Sequence, residues 1–364
     1  MINEKLNQYL LEHPPTQTGD YRKIGEELGY DSETVRSYCR RLNLTLRGGE
    51  EEMKMKKISY PDAMESLLKK VKELPQVQPL PPITMPKFVK KGDEEEVVLM
   101  LSDWQLGHKT ISFNAEIAKE RVEKMLNATL KIVALHRKAY PIRKINLFLE
   151  GDFIQSEAVG YMVDLSELEA ILIDQVFKYS VPLLTWVISE CAKHFTEVKV
   201  YCVRGNHGKN GKFSSEKTNW DDVIYKILAI KFADTKKIKF NIAREYYQIV
   251  SVQNLKCLLT HGDQVRGGTY GIPLYALLQR MLRWATSLPE RWDVWCCGHW
   301  HHYSHLEQNS QELIVNGTLV SDDEYVRRMY GWNASTIQVL FGVHPRTGIT
   351  WTYRIKLNLP NGNK

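Results

Sequence analysis

His299, His301 and His302 are the side chains of this sequence whose type and spacing are most suited to chemistry. They follow Gly298 and an apolar run, residues 294–297, that predicts a short buried strand. Glycine lets the chain turn sharply as it leaves a sheet, so His299 and His301 can point toward one position. Imidazole is the commonest metal-ligating side chain, and the cluster therefore indicates a metal site. A solvated histidine-rich loop is the alternative.

Four further polar clusters each follow a strand-like apolar run, and together they favour the metal interpretation. In open α/β sheets, ligands gather outside the carboxyl ends of the strands, so these clusters are expected to converge. Carboxylate, amide and imidazole groups form the mixed oxygen and nitrogen set that binds divalent metals. The clusters are Ser102-Asp103-Trp104-Gln105, Glu150-Gly151-Asp152, Arg204-Gly205-Asn206-His207 and His261-Gly262-Asp263.

In this order the clusters resemble the signature of the calcineurin-like metallophosphoesterases. That signature is Asp-x-His, Gly-Asp, Gly-Asn-His, a single His and Gly-His-x-His. The matching residues span most of the chain, and one position departs, because Gln105 stands where the family has histidine. The matching segments are Asp103-Trp104-Gln105, Gly151-Asp152, Gly205-Asn206-His207, His261 and Gly298-His299-Trp300-His301.

The resemblance implies an α/β fold, a four-layer α/β/β/α sandwich with two mixed sheets. It also implies two divalent cations that activate a water for attack on a phosphoester, with Asp152 shared between them. His207 would steady the transition state or protonate the leaving oxygen. The first cation would be held by Asp103, Gln105, Asp152 and His301, and the second by Asp152, Asn206, His261 and His299.

Gln105 bears on which cation is expected. A carboxamide oxygen is a harder ligand than imidazole, so the first site is expected to be weak and to favour Mn²⁺. Mg²⁺, Zn²⁺ and Fe are the alternatives. His108 is a second source for the missing imidazole, and Asp263 is a candidate acceptor for the ring of His261. His302 is expected to lie beside the ligands or in solvent.

Glycine-rich cationic loops follow two of the clusters. Lys209 and Lys212 come after Asn206-His207, and Arg266 comes after His261. Such groups can close over a phosphodiester, although solvated surface loops are the alternative. The formal net charge is +6 and belongs to residues 96–364, because basic and acidic residues balance before that point. A positive domain suits an anionic substrate.

Residues 1–46 predict a small all-α domain that resembles a helix-turn-helix. Ser32 is expected to cap its third helix. Arg36, Arg40 and Arg41 share a face of that helix, where a recognition helix would meet phosphates or base edges of DNA. A helical protein–protein module with a solvated basic face is the alternative. Helices are expected over 3–12, 21–28 and 33–42.

Residues 47–95 predict a charged and Pro-rich linker, and residues 96–364 the phosphoesterase-like domain. Within that domain, strands alternate with helices, and a capping box at Ser166 and Glu169 is expected to start one of them. A hairpin is expected over 336–358. The helices are expected over 113–140, 166–195, 219–232 and 273–286.

The sequence also bounds the compartment and the partners. The N-terminus is unlike a signal peptide, and the longest apolar runs are too short to cross a bilayer. The 6 cysteines are scattered, which is typical of reduced proteins. These features predict a cytoplasmic protein without a membrane partner, with a homodimer as one assembly to consider.

The leading hypothesis is a Mn²⁺-dependent DNA nuclease or phosphodiesterase, in which the N-terminal domain keeps DNA near the active site. The arrangement of such a domain before a phosphoesterase also resembles proteins of bacteriophages and prophages. One alternative is a phosphatase or small-nucleotide phosphodiesterase whose N-terminal domain serves assembly. Another is a DNA-binding protein whose phosphoesterase site is weakened by Gln105.

Overall fold

The chain divides into two compact units, Met1–Met64 and Glu65–Lys364. All of the strands that are described belong to the second unit. Most of the linker expected over 47–95 lies outside the described residues, so its extent stays a prediction. The computed structural model describes residues 4–13, 15, 20–41, 92–157, 167–211, 218–265, 272–323, 327, 331 and 334–358.

The described part of the first unit consists of three helices, α1 (Glu4–Glu12), α2 (Asp20–Leu28) and α3 (Ser32–Arg41). They lie where the apolar spacing predicted helices. Their inward faces form one small core, and whether the unit acts as a helix-turn-helix stays a prediction. The core side chains are Leu6, Leu10, Tyr21, Ile24, Val35 and Cys39.

The cap of α3 is Asp31, and the expectation of Ser32 was wrong. Asp31 Oδ1 accepts the backbone N–H groups of Glu33 at 3.1 Å and Thr34 at 2.9 Å. A hydrogen bond from the Thr34 hydroxyl contributes most to lowering the pKa of Asp31 below its usual value. Asp and Ser are comparable caps, so the sequence alone could not choose between adjacent candidates.

The second unit contains two mixed sheets. The first has six strands in the order β11-β10-β1-β2-β3-β4, with β1 to β4 parallel and β10 antiparallel to both of its neighbours. The strands are β1 (Glu95–Leu101), β2 (Ile142–Leu149), β3 (Glu197–Cys202), β4 (Ile238–Ile242), β5 (Tyr247–Val252), β6 (Leu255–Thr260), β7 (Val294–Cys297), β8 (Ser304–Gln308), β9 (Gln311–Val315), β10 (Ile337–His344) and β11 (Gly348–Lys356).

The second sheet has five strands in the order β5-β6-β7-β9-β8. Its central strands β6, β7 and β9 are parallel, and the edge strands β5 and β8 are antiparallel to their neighbours. Parallel strands place their carboxyl ends on the same edge of a sheet. The loops after β6 and β7 therefore lie together, as do those after β1, β2 and β3.

Four layers follow from the way the apolar side chains pack. The helices α4 (Ala115–His136), α5 (Val181–His194) and α6 (Trp220–Lys231) cover the first sheet. The two sheets enclose a second core, and α7 (Leu274–Ser287) covers the second sheet through a third. In that third core, Trp284 and Trp295 pack edge to face with ring centroids 4.9 Å apart. The expected α/β/β/α layering is thus the architecture of this unit.

The helix expected over 166–195 differs at its start. Ser166 lies outside the described residues, and Glu169 accepts the Ala115 N–H at 2.5 Å, at the beginning of α4. Glu169 therefore does not close a capping box with a helix of its own. The helical segment begins with Leu172–Asp174 and continues through the π-helical turn Gln175–Ser180 into α5.

All six cysteines are buried and unpaired, as their scattered positions predicted. Within the described part of the chain, no helix has both the length and the apolar character needed to cross a membrane.

Candidate metal centre

The polar loops of the two sheets meet through backbone hydrogen bonds. The Asp103 N–H donates to the carbonyl of Gly151 at 3.1 Å, which joins the loops after β1 and β2. The Gly298 N–H donates to the carbonyl of His261 at 2.8 Å, which joins the loops after β7 and β6. A side chain joins the sheets, because His261 Nδ1 lies 2.6 Å from the carbonyl oxygen of Glu150.

Most of these loops hold their polar residues in the left-handed backbone region. Residues other than glycine rarely adopt this conformation, and it clusters at functional sites where the surroundings enforce it. Five of the expected ligands adopt this conformation. We infer that the backbone of these loops is held in an unfavourable conformation in order to place the ligand side chains. They are Asp103 (φ 56°), Gln105 (φ 42°), Asp152 (φ 58°), His299 (φ 69°) and His301 (φ 56°).

Asp152 lies at the centre of the converging loops and is only 1% exposed. Its Oδ1 accepts the backbone N–H of His207 at 2.7 Å. Its Oδ2 lies 2.9 Å from His261 Nε2, but the direction of this contact is poor for a hydrogen bond. One carboxylate oxygen is therefore held by the backbone, and the other lies beside His261 Nε2.

The contact of His261 Nδ1 shows which ring nitrogen carries the hydrogen when the ring is neutral. A carbonyl oxygen only accepts, so Nδ1, which faces the Glu150 carbonyl, carries the hydrogen. In the neutral ring, Nε2 then carries a lone pair. This atom lies 3.1 Å from Asn206 Oδ1 and 3.3 Å from His299 Nδ1. His261 Nε2 also faces Asp152, so potential ligand atoms from four side chains converge.

Such a set fits a divalent cation. Four lone-pair donors at short range repel one another unless a proton or a cation lies between them. Ligand atoms of Asp152, His261 and His299 all lie within 4.8 Å of one another. Two oxygens and two imidazole nitrogens suit Mn²⁺, Fe or Zn²⁺. Asp152, Asn206, His261 and His299 are named here the inner quartet.

The titration properties of these groups reflect their mutual charges. Burial opposes charge on His261, but Asp152, together with Asp103 and Asp263, outweighs burial and holds the pKa of His261 well above its usual value. For Asp152, burial is likewise outweighed by His261 and His207, and its pKa lies below the usual range. Burial and the neighbouring His261 lower the pKa of His299 to about 4. Burial, reinforced by the charge of Asp103, raises the pKa of Glu150 well above its usual value.

The remaining expected ligands form a second group beside the quartet. Both carboxylate oxygens of Asp103 accept the His299 N–H, at 3.1 and 3.0 Å. His301 Nε2 lies 3.4 Å from Asp103 Oδ1. The Gln105 amide nitrogen lies 3.2 Å from both His207 Nε2 and His301 Nε2. The structure thus brings together every residue that the resemblance placed at the metal centre.

The loop that carries Asp103 is fixed by polar residues that the sequence did not single out. The Thr318 hydroxyl donates to the Asp103 carbonyl at 2.8 Å. The Gln338 amide accepts from Ser102 N–H at 3.1 Å, and Asn316 donates to the Ser102 hydroxyl at 3.0 Å. All of these side chains are fully buried. A satisfied buried network of this kind holds the ligand loop rigid.

Asp221 was also missed by the sequence reasoning, although it supports two ligand loops. This fully buried carboxylate accepts backbone N–H groups from Asp152 at 3.0 Å, Phe153 at 3.2 Å and Gly205 at 2.8 Å. Burial and the charge of Asp152 raise the pKa of Asp221 to about 6 despite these bonds. In the sequence it is an ordinary acidic residue in the first turn of a helix.

We expect Asp221→Ala to lower the free energy of unfolding by about 3 kcal/mol, since three buried N–H groups are left without their acceptor. It should also weaken metal binding, because Asp152 and Asn206 lie on the loops that it holds. Urea unfolding in chelator and a Mn²⁺ titration measure the two effects. Asp222→Ala on the same helix, which removes a hydrogen bond from Arg204 at 3.4 Å, is the matched control. Equal effects of the two variants would contradict this role.

The structure describes some of the other residues that were expected near the site, and not all of them have the expected contacts. Lys209 Nζ lies 3.3 Å from Asp263 Oδ2, so each is engaged by the other. The acceptor that orients His261 is the Glu150 carbonyl, in place of the Asp263 carboxylate that was considered. His108 Nε2 lies 3.8 Å from Glu167 Oε2, and burial lowers the pKa of His108 to about 4. Lys212 and Arg266 lie outside the described residues.

No protein-family model and no curated protein matches the sequence. Solved structures with a similar arrangement include a predicted phosphoesterase from Streptococcus pneumoniae (11% identity, 72% of this chain and 98% of that one, TM-score 0.31). Others are Yfce, a phosphoesterase from E. coli (16%, 71% and 100%, 0.31), and Vps29 complexed with Zn from Entamoeba histolytica (12%, 72% and 99%, 0.28). TM-scores near 0.3 are too low to support an inference, so function must be argued from the residues.

Proposed function

We propose that the chain is a metal-dependent phosphoester hydrolase whose active site is built around the inner quartet. The observation that carries this proposal is the convergence of potential ligand atoms from Asp152, Asn206, His261 and His299. Their order along the chain matches the signature of the calcineurin-like metallophosphoesterases. When bound, a divalent cation polarises a phosphoryl oxygen and lowers the pKa of an attacking water.

In this proposal His207 handles the proton of the leaving group. Its Nδ1 lies 3.0 Å from the Gln155 carbonyl and therefore carries a hydrogen, which fixes the orientation of the ring. Its Nε2 lies 3.9 Å from Asp152 Oδ2 and thus faces the site. In the imidazolium form, Nε2 can donate a proton to a leaving oxygen at that position.

We propose DNA as the substrate and Mn²⁺ as the working cation. The excess of positive charge in residues 96–364 and the basic face of α3 support the choice of DNA. Arg36 lies on that face, with 40% of its side chain exposed. The side chains of Arg40 and Arg41 lie outside the described residues. The mixed oxygen and nitrogen donors of the site support Mn²⁺.

A triple variant of the full chain, Arg36→Ala with Arg40→Ala and Arg41→Ala, tests the role of the N-terminal unit. It should flatten the dependence of duplex DNA affinity on salt, by about 0.9 in log–log slope for each phosphate that the variant no longer neutralises. Arg22→Ala is the control, because Arg22 is an exposed arginine of α2 paired with Glu26. A triple variant with the wild-type slope would remove this surface from the proposal.

A small-substrate phosphoesterase is the second candidate, and one observation favours it. Arg36 already contacts Glu33 at 3.2 Å, and its guanidinium lies over the ring of Tyr21 at 5.4 Å. A partnered arginine gains less from a phosphate contact, so the helical unit would then serve assembly.

End-labelled single- and double-stranded DNA, bis(p-nitrophenyl) phosphate and the corresponding monoester, each with Mn²⁺, distinguish the two candidates. Cleavage of DNA by the full chain is the expected result. Hydrolysis of the small esters without cleavage of DNA would favour the second candidate. No turnover of any substrate would contradict the proposed hydrolase.

A further inference from the structure

Gln105 makes contacts unlike those of a metal ligand. Its amide nitrogen, which cannot bind a cation, is the atom that lies 3.2 Å from His207 Nε2 and from His301 Nε2. Its oxygen Oε1, which could bind one, is buried without a hydrogen-bond partner among the described residues. The end of the side chain that faces the two histidines is therefore the donor end.

The neutral form of His207 favours this orientation of the carboxamide. The two ends of an amide are assigned from their hydrogen bonds. The carbonyl of Gln155 accepts the hydrogen on His207 Nδ1, so Nε2 of the neutral ring is an acceptor. With a neutral His207 ring, the NH₂ group of Gln105 at 3.2 Å donates to this acceptor.

The backbone that carries the Gln105 side chain is also held in place. The Gln105 N–H donates to the Asp152 carbonyl at 2.9 Å, and the Gln105 carbonyl accepts the His108 N–H at 3.0 Å. Gln105 itself is only 2% exposed. Ligation through Oε1 would require the amide to turn over and would break the contacts of the NH₂ group with His207 and His301. Two hydrogen bonds of ordinary strength correspond to roughly a thirty-fold loss of affinity.

The carboxylates beside Gln105 are engaged as well. Asp103 receives the His299 N–H on both oxygens, at 3.1 and 3.0 Å. Asp152 Oδ1 receives the His207 N–H at 2.7 Å, which leaves Oδ2 for His261. Among the described residues, the group of three or more His, Cys, Asp or Glu whose ligand atoms come within 4.8 Å of one another consists of Asp152, His261 and His299.

We propose that the chain holds one divalent cation tightly, on the inner quartet, and that the Gln105 carboxamide replaces a second tightly held cation. The amide does so through its NH₂ group, which lies 3.2 Å from the rings of both His207 and His301. Gln105 is thus a positioning residue. This inference rests on the proposed metal-dependent function and departs from the two-cation centre that the resemblance implies.

The number of cations per chain tests the inference directly. Equilibrium dialysis and titration calorimetry of the chelator-treated full chain with Mn²⁺ alone should give one tight ion. Any second ion should bind at least about thirty-fold more weakly. Two ions of similar affinity would overturn this inference and leave the proposed hydrolase standing. Absence of any tight ion would overturn both.

Two histidines on one loop provide a matched pair of variants. His299→Ala should weaken the tight ion at least about a hundred-fold, because it removes a ligand of the inner quartet. His301→Ala should leave the affinity within roughly ten-fold, because that ring contacts the amide and Asp103. Equal losses in the two variants would overturn the inference.

Gln105→His tests the role of the amide. This variant should gain a second tight ion, seen as a stoichiometry of two and as a spin-coupled Mn²⁺ pair by electron paramagnetic resonance. Gln105→Glu has the shape of the native side chain and supplies an oxygen ligand. It replaces Gln105→His in this test if the histidine variant does not fold. If folded variants of both kinds still bind a single ion, the amide does not exclude the second cation and the inference is wrong.

Discussion

Asp152→Asn is expected to lower both Mn²⁺ affinity and kcat/KM by about a thousand-fold or more, which corresponds to about 4 kcal/mol. The reason is the position of Oδ2, which faces His261 Nε2 at 2.9 Å within the inner quartet. An amide nitrogen at that position donates a hydrogen to the imidazole lone pair and fills the space of the cation. In the variant, the hydrogen-bonding groups of the site are therefore paired with one another without a metal ion.

The fold should survive this substitution. The amide oxygen can still accept the His207 N–H that Oδ1 now accepts at 2.7 Å. We expect the free energy of unfolding in chelator to change by no more than about 1–2 kcal/mol. Asp293→Asn is the matched control, because Asp293 accepts the Lys256 N–H at 2.8 Å at the start of β6 and lies away from the ligands. An Asp152→Asn variant that binds Mn²⁺ normally would contradict the proposed site.

Gly205→Ala is expected to lower the free energy of unfolding by about 3 kcal/mol and to abolish tight metal binding. A Cβ at Gly205 would overlap the carboxylate and the backbone nitrogen of Asp152. The loops after β2 and β3 approach so closely that only hydrogen fits between them. The same approach brings Asn206 to Asp152, so the clash disrupts the fold and the ligand set together.

Gly331→Ala separates this clash from the ordinary cost of replacing a glycine. Gly331 has φ 73°, and no heavy atom of the described residues lies within 4 Å of a Cβ built there. Its substitution should cost only about 1–2 kcal/mol, through the left-handed conformation. Urea unfolding and Mn²⁺ binding compare the two variants. Equal effects would show that the close approach at Gly205 does not support the site.

The sequence was sufficient for the strands that precede the ligand clusters and for the clusters themselves. Residue type and period are local properties, so the run before Gly298 could be recognised as a strand and the polar residues after it as a cluster. Convergence followed because parallel strands place their carboxyl ends at one edge. The roles of these residues in catalysis stay predictions until they are measured.

Other features could not be predicted because they depend on partners far apart in the chain. The acceptor that orients His261 is the backbone carbonyl of Glu150, and a carbonyl has no signature in a sequence. Asp221 looks like any acidic residue at a helix start, yet it binds the backbone of two distant loops. The direction of the Gln105 amide depends on a hydrogen bond between His207 and Gln155. Each of these needs the folded chain.

The most direct test of the proposed metal centre is a Mn²⁺ titration of the chelator-treated full chain, with binding and hydrolysis of bis(p-nitrophenyl) phosphate followed together. We predict that hydrolysis appears with the ion that binds the inner quartet and is absent in Asp152→Asn, which should remain folded. Hydrolysis that proceeds in chelator, or that Asp152→Asn retains at the wild-type rate, would contradict the proposed centre.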